Sequence, residues 1–201
     1  MKREDEHIHI LTGEYAVVDP WFGRDGAPPI ELDLGCGKGG FSIELARRYP
    51  DRLVLASDIM IGRLRKVFHK QEICGVRNLE LLRASSFPLL TYQLPVACVH
   101  RVHLLCPDPW PKARHRGKRL VSGEFLGRIL RVLEPGGVFH FSSDEAPYAE
   151  AVEALLEAMP QFAPAPDAID DVRDIQTEFE KRWLRQGKEV RHLSWRSVVL
   201  E

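Results

Sequence analysis

The stretch Ile30–Gly40, I-E-L-D-L-G-C-G-K-G-G, constrains this chain more than any other. Ile30, Leu32 and Leu34 alternate as one buried face of a strand. Gly35, Gly37 and Gly39 let the backbone turn tightly and come close to a ligand, and Phe41 to Tyr49 reads as a helix. Strand, glycine turn and helix in that order open a nucleotide-binding unit.

Gly35, Gly37 and Gly40 also satisfy G-x-G-x-x-G, so the glycines alone leave a dinucleotide fold and an S-adenosylmethionine fold both open. Asp33 tips the balance, because it puts an acid two places before the first glycine, where a dinucleotide-binding strand normally keeps an apolar side chain. The pattern resembles motif I of the class I methyltransferases. That resemblance implies a loop approaching the amino-acid end of S-adenosylmethionine, whose ammonium an acid can pair with. Asp58 follows the apolar run Leu53-Val54-Leu55-Ala56 and falls where either fold puts a carboxylate on ribose hydroxyls.

At 201 residues the chain suits one α/β domain with a good core. No apolar run approaches the roughly 20 residues that span a bilayer. The start M-K-R-E-D-E-H lacks the apolar core of a signal peptide, and a cytoplasmic protein without membrane contact is expected. Cys36, Cys74, Cys98 and Cys106 are scattered without a C-x-x-C pair, so they read as reduced and mostly buried. His7 and His9 read as ordinary polar residues, and no metal is expected.

A formal net charge of −1 argues by itself against nonspecific nucleic-acid binding. The distribution argues otherwise. Lys112, Arg114, Arg116, Lys118 and Arg119 cluster with no acid among them, whereas Glu150 to Glu180 is acid-rich. A basic edge on a neutral body can engage phosphates.

Residues 1–26 read as an N-terminal arm, and Pro28-Pro29 hand the chain to the first strand in extended form. Helices are predicted over Ile61–Ile73, Ser122–Leu133, Ala146–Met159 and Gln176–Arg185, with strands over Asn78–Arg83, Val99–Cys106, Val138–Phe141 and Glu189–Leu200. Glu134-Pro135-Gly136-Gly137 reads as a helix stop, Pro107–Pro111 as a rigid loop and Pro160–Asp171 as the longest loop. The alternation predicts a mostly parallel sheet with helices on both faces. Asp33, Asp58, Ser85, Asp108 and Asp144 all fall at or just after strand ends, where such sheets bind ligands.

Cys106–Leu120 reads C-P-D-P-W-P-K-A-R-H-R-G-K-R-L. With D-L-G-C-G-K-G before it and Thr177-Glu178-Phe179-Glu180 after it, this block resembles the bacterial tRNA (guanine-N7-)-methyltransferases, which methylate a guanine in the tRNA variable loop. The resemblance implies a Rossmann-like class I methyltransferase fold with a seven-stranded sheet. It implies S-adenosylmethionine contacts at Asp33, Gly35, Gly37, Gly39, Asp58, Ser85 and Asp108, with Asp108 at the catalytic centre. It also implies RNA or substrate contacts at Lys112, Arg114, His115, Arg116, Lys118, Arg119, Asp144, Thr177, Glu178, Phe179 and Glu180. Two departures stand out: Ser85 replaces an acid usual in the family, and Gly117 interrupts the basic run.

Chemistry agrees with the resemblance. Guanine N7 carries an in-plane lone pair and loses no proton on methylation, so alignment matters more than a general base. Three other readings stay open on sequence: a class I methyltransferase acting on another RNA or a small molecule, a nicotinamide-linked dehydrogenase, and a noncatalytic RNA-binding module. Monomer and homodimer are equally compatible with the residues.

Overall fold

The structure is a computed structural model that describes residues 3–11, 21–22 and 26–199; the side chains of Arg3, Ala113 and Arg116 are outside the description. Its strands are β1 (Ile8–Ile10), β2 (Ile30–Leu34), β3 (Leu53–Asp58), β4 (Leu79–Arg83), β5 (Val99–Leu105), β6 (Leu133–Ser143), β7 (Phe162–Pro164) and β8 (Arg191–Ser197). Its helices are α1 (Gly40–Arg48), α2 (Ile61–Cys74), the short α3 (Ser86–Pro88), α4 (Gly123–Val132), α5 (Ala146–Glu157) and α6 (Glu178–Arg185). The strands form one sheet in the order β1-β4-β3-β2-β5-β6-β8-β7. Every pairing is parallel except those of β8 with β6 and β7. The order turns back between β2 and β5, and such a reversal leaves a crevice at the carboxyl ends of those two strands.

Alternation along the strands separates two buried layers. Ile30, Leu32 and Leu34 of β2, Val102 and Leu104 of β5, and Phe139 and Phe141 of β6 face one apolar layer, packed by Phe125 and Ile129 of α4 and Tyr148 and Val152 of α5. The opposite layer joins Phe41 and Leu45 of α1, Leu64 and Val67 of α2, and Val54, Ala56, Leu79 and Leu81 of the sheet. On that second face the central strands carry polar side chains that are nonetheless buried, among them Glu31, Asp33, Arg101, His103, His140 and Ser142.

Among the described residues the sheet has eight strands, where seven were expected. The additional strand comes from the N-terminal arm: Ile8–Ile10 pairs parallel to β4, with Ile8 opposite Leu81 and buried. The expected arm is therefore sheet over these residues, while 12–20 and 23–25 lie outside the described residues. The loop expected over Pro160–Asp171 contains β7, which pairs with Trp195–Ser197 of β8. α4 ends at Val132, and Glu134-Pro135-Gly136-Gly137, expected as its stop, lies inside β6, with a register irregularity opposite Val99–Arg101. Gly137 permits this, since a Cβ there would lie 3.0 Å from the carbonyl oxygen of His100 on the neighbouring strand.

Candidate active site

The glycine turn is fastened to β3. Gly35 and Cys36 both donate backbone N–H groups to the carbonyl of Ser57 at 2.9 Å, and Gly39 donates to Cys36. Gly39 has φ +71°, and a Cβ on it would sit 2.6 Å from a methyl of Val67, so α2 packs directly on the turn. A side chain at this position would separate turn from helix, which is the close-approach role of a glycine in such loops.

Two carboxylates flank the turn. Asp58 accepts from the N–H of Gly37 at 3.2 Å and from that of Met60 at 2.7 Å, and pairs with Arg63 at 3.2 Å. Asp33 accepts from the Ser42 hydroxyl of α1 at 2.5 Å. Burial pushes the Asp33 carboxyl up to about 7, against the Ser42 hydrogen bond; the charges of Asp58 and Glu180 push the same way as burial. An acid held near neutrality by burial, with two other acids beside it, would gain from a cation brought against it.

Beyond β5 the loop Pro107–Pro111 follows one non-glycine residue in the left-handed region, Cys106 with φ 47°, and contains another, Trp110 with φ 43°. Backbone strain of this kind costs on the order of 1–3 kcal/mol per residue and persists where the surroundings enforce it. Cys106 is held by its N–H to the carbonyl of Ser142 at 2.9 Å, and burial pushes its thiol up to about 12, so it stays protonated. Arg119 donates to the Pro109 carbonyl at 2.9 Å and lies over the Tyr148 ring at 4.6 Å. These contacts present Asp108 to solvent at the end of β5.

The basic turn Ala113–Lys118 folds back on Trp110, with the Lys118 ammonium 4.8 Å from the indole centroid and the His115 ring edge-on at 5.8 Å. Lys112 and Arg114 are exposed. Arg119, grouped with them on sequence, is half-buried and spent on the loop itself, while the side chain of Arg116 is outside the described residues.

At the end of β6, Asp144 pairs with Lys188 at 3.0 Å, and that ammonium also lies over Trp183 of α6 at 4.1 Å. Thr177 and Glu180 form a capping box that starts α6. Glu180, expected among the RNA-facing residues, is instead 1% exposed and accepts from the Ser142 hydroxyl at 3.0 Å. The capping box requires that inward turn. Glu178 and Phe179 point outward, and an oxygen of Glu178 lies 3.1 Å from where a Gly40 Cβ would be. The first turn of α6 therefore rests on the start of α1. Ser85 is exposed at the cap of α3, on the far side of β3 from the glycine turn's strand.

The crevice thus brings Asp33, the glycine turn, Asp58, Asp108, Asp144 and the first turn of α6 to one edge of the sheet. Ser42, Ser142, Arg63 and Lys188 belong to it as well and were not singled out from sequence. Only the Glu180 arrangement had a readable signal, the T-x-x-E capping pattern.

A family model described as putative methyltransferase matches residues 27–193. A tRNA (guanine-N(7)-)-methyltransferase of Syntrophotalea carbinolica is 36% identical over 84% of this chain and 74% of its own length. Another of the same name from Corynebacterium efficiens is 30% identical over 92% of this chain and 75% of its own. Among solved structures, the 16S rRNA methyltransferase KamB superposes with TM-score 0.65 at 24% identity, covering 88% of this chain and 91% of that one. A SAM-dependent methyltransferase from Aquifex aeolicus gives 0.58 at 16% identity, covering 85% and 82%. At such identities the two structures speak for the fold alone, which is that of class I methyltransferases.

Proposed function

The chain belongs to the tRNA (guanine-N(7)-)-methyltransferase family, and from that premise we propose that it transfers a methyl group from S-adenosylmethionine to N7 of a guanine in the variable loop of tRNA. The observation that carries the reading is the pairing, at one crevice, of the acid-flanked glycine turn with the strained P-D-P-W-P loop. The first suits the cofactor and the second suits the base.

The donor set fits S-adenosylmethionine. Burial holds the Asp33 carboxyl near neutrality, and an ammonium brought against it would draw it into the ionised form. Asp58 is braced by two backbone N–H groups, which hold it for ribose hydroxyls, and its exposed partner Arg63 is displaceable. The sulfonium supplies an electrophilic methyl group.

The chain's own task is orientation. Asp108 is exposed on a loop whose backbone is fixed at both ends, so it presents an acceptor with little freedom. Together with Asp144 it would accept from the N1–H and N2–H₂ edge of guanine, holding N7 in line and favouring the positive charge that develops on the ring. Lys188 would then share Asp144 or leave it. Lys112, Arg114 and the turn around Trp110 meet phosphates, which position the RNA without reading its bases. Glu178 and Phe179 line the rim next to the glycine turn. Residues 1–201 act as one domain in this reading, with Ile8–Ile10 of the N-terminal arm in its sheet. No described helix is long and apolar enough to cross a membrane, and a tRNA substrate assigns the work to the cytoplasm.

Incubation of unmodified tRNA with labelled S-adenosylmethionine, followed by nucleoside mass spectrometry and mapping, tests the proposal. 7-Methylguanosine in the variable loop is the expected product. Label on another base or on no RNA at all would overturn it.

A further inference from the structure

Four strands carry a continuous line of polar contacts on the sheet face beneath α1 and α6. Glu31 Oε2 meets His103 Nε2 at 2.8 Å, His103 Nδ1 meets His140 Nδ1 at 2.9 Å, His140 Nε2 meets His192 Nδ1 at 3.0 Å, and His192 Nε2 faces Glu180 Oε1 at 3.4 Å. Glu31, His103, His140 and Glu180 are fully buried or nearly so. Among the described residues no group of three or more such side chains is arranged to hold a metal; the rings run in file.

Counting protons gives the line a direction. Glu31 is pinned by Arg52 at 2.6 Å and Arg101 at 3.3 Å, and despite its burial its contacts with His103 and these arginines keep its carboxyl below the usual range. An ionised carboxylate only accepts, so His103 donates from Nε2. A neutral imidazole has one N–H and one lone pair. His103 Nδ1 must then accept from His140 Nδ1, and His140 Nε2 from His192 Nδ1. This leaves a bare lone pair on His192 Nε2 facing the Glu180 carboxylate, across the longest of the four gaps. Four hydrogen bonds need four protons, and three neutral rings bring three.

We propose that the Glu31–His103–His140–His192–Glu180 line is a one-proton relay in which His192 acts as a positioning residue, and that uptake of a single proton closes the His192–Glu180 contact and seats α6 on the glycine turn. The proton comes from solvent at the His192 end, whose side chain is 16% exposed, and adds one positive charge; no other bond changes. Through Oε2, Glu180 accepts from the Thr177 N–H at 2.5 Å, so its orientation sets the first turn of α6. Glu178, on that turn, touches the start of α1.

Charges face the line from every side. Arg101 and Arg173 oppose protonation of the rings, whereas Glu31, Asp171 and Glu180 favour it; Arg101 is itself paired with Asp171, as is the Arg52 that holds Glu31. Cys106, near Glu180, is a protonated thiol, and Phe41 sets its ring against His103 at 4.8 Å. Burial, the first cause in each ring, holds all three histidines below their ordinary value. The relay is therefore open at neutral pH and closes below it. Closing also neutralises the Glu180 charge that holds up Asp33, so the same proton eases ionisation of Asp33. That last link to the cofactor rests on the methyltransferase reading; the proton count and the seating of α6 do not.

Nitrogen-15 NMR of the histidines in the full chain, from pH 8.5 to 5, tests both parts. At high pH the expected tautomers are Nε2–H on His103 and Nδ1–H on His140 and His192. The three rings should then shift together with one midpoint and a total uptake of one proton. Amide protection at Glu180 and Lys181 should rise about tenfold across that midpoint, the scale of a hydrogen bond to a charged group. Glu180→Gln supplies the missing proton as an amide N–H, so it should hold high protection at every pH. Independent titrations, the opposite tautomer on His103, or protection that ignores pH in the wild type would each overturn the relay. If the histidines behave as expected and no methyl transfer is found, the relay stands and the methyltransferase reading falls.

Discussion

Gly37 donates its backbone N–H to a carboxylate oxygen of Asp58 at 3.2 Å, so the glycine turn after β2 and the acid that ends β3 are positioned as one unit. The second oxygen of Asp58 accepts from Met60 at the cap of α2, and α2 in turn packs on Gly39 through Val67. Turn, acid and helix therefore shift together or not at all.

Replacing Asp58 with alanine removes charge-assisted acceptors from a strand end. The expected cost in S-adenosylhomocysteine affinity is roughly 1.5–3 kcal/mol, with the fold retained because the sheet pairing of β3 with β2 and β4 is unaffected. Calorimetric binding with a circular-dichroism check measures this; wild-type affinity in the variant would remove Asp58 from the cofactor site.

Asp33 gives a pH dependence of known sign. Its carboxyl is raised to about 7 in the folded chain, so the folded state holds a proton that the unfolded state gives up. That contribution to stability is complete below the ordinary carboxylate value and is lost as pH rises through about 7. Ligand-free wild type should therefore lose more melting temperature between pH 6 and 8 than Asp33→Asn does. Binding of a ligand ammonium prefers the ionised acid, so S-adenosylhomocysteine affinity should rise over the same interval with proton release. Calorimetry in buffers of different ionisation enthalpy reads that release, which Asp33→Asn should abolish.

The contrast between these acids and the histidine line bears on what a sequence discloses. The βα opening was legible because I-E-L-D-L alternates and G-C-G-K-G cannot be helix. β1 and β7 were not, since I-H-I and F-A-P are too short for periodicity and exist only because β4 and β8 offer edges. The P-D-P-W-P loop announced itself by composition, but the inward use of Arg119 depends on Tyr148, distant in sequence. Glu31, Arg101, His103 and His140 stood at alternate positions of strands already identified. Their burial on one face follows from strand order, which residue patterns alone did not supply.

Asp108→Asn should lower turnover far more than cofactor affinity. The residue is exposed just after β5, where the proposed reading sets the base. Retaining one oxygen preserves part of the geometry, so a large fall in kcat points to the charge that offsets developing positive charge on the ring. Steady-state kinetics beside calorimetry separates the two quantities; loss of cofactor binding with a normal maximal rate would move Asp108 out of the base site.

Among the described side chains of this stretch, Lys118 lies over Trp110, Arg119 is half-buried, and two further exposed cations remain. Lys112 and Arg114 are exposed, whereas Arg119 ties Pro109 to the start of α5 through the Pro109 and Pro147 carbonyls. If the exposed pair meets phosphates, each contact releases condensed counterions, and tRNA affinity should fall steeply as salt rises. Lys112→Ala/Arg114→Ala should flatten the log–log slope by roughly 0.7–0.9 for each lost contact, leaving cofactor affinity and the choice of guanine unchanged because phosphates carry no base identity. Arg119→Ala should behave differently. Freed from Pro109, the loop bearing Asp108 loses its brace, so turnover falls while the salt slope stays near that of wild type. A salt series of tRNA binding for both variants, with turnover measured in parallel, distinguishes them; a flattened slope in Arg119→Ala and none in the double variant would reverse the assignment.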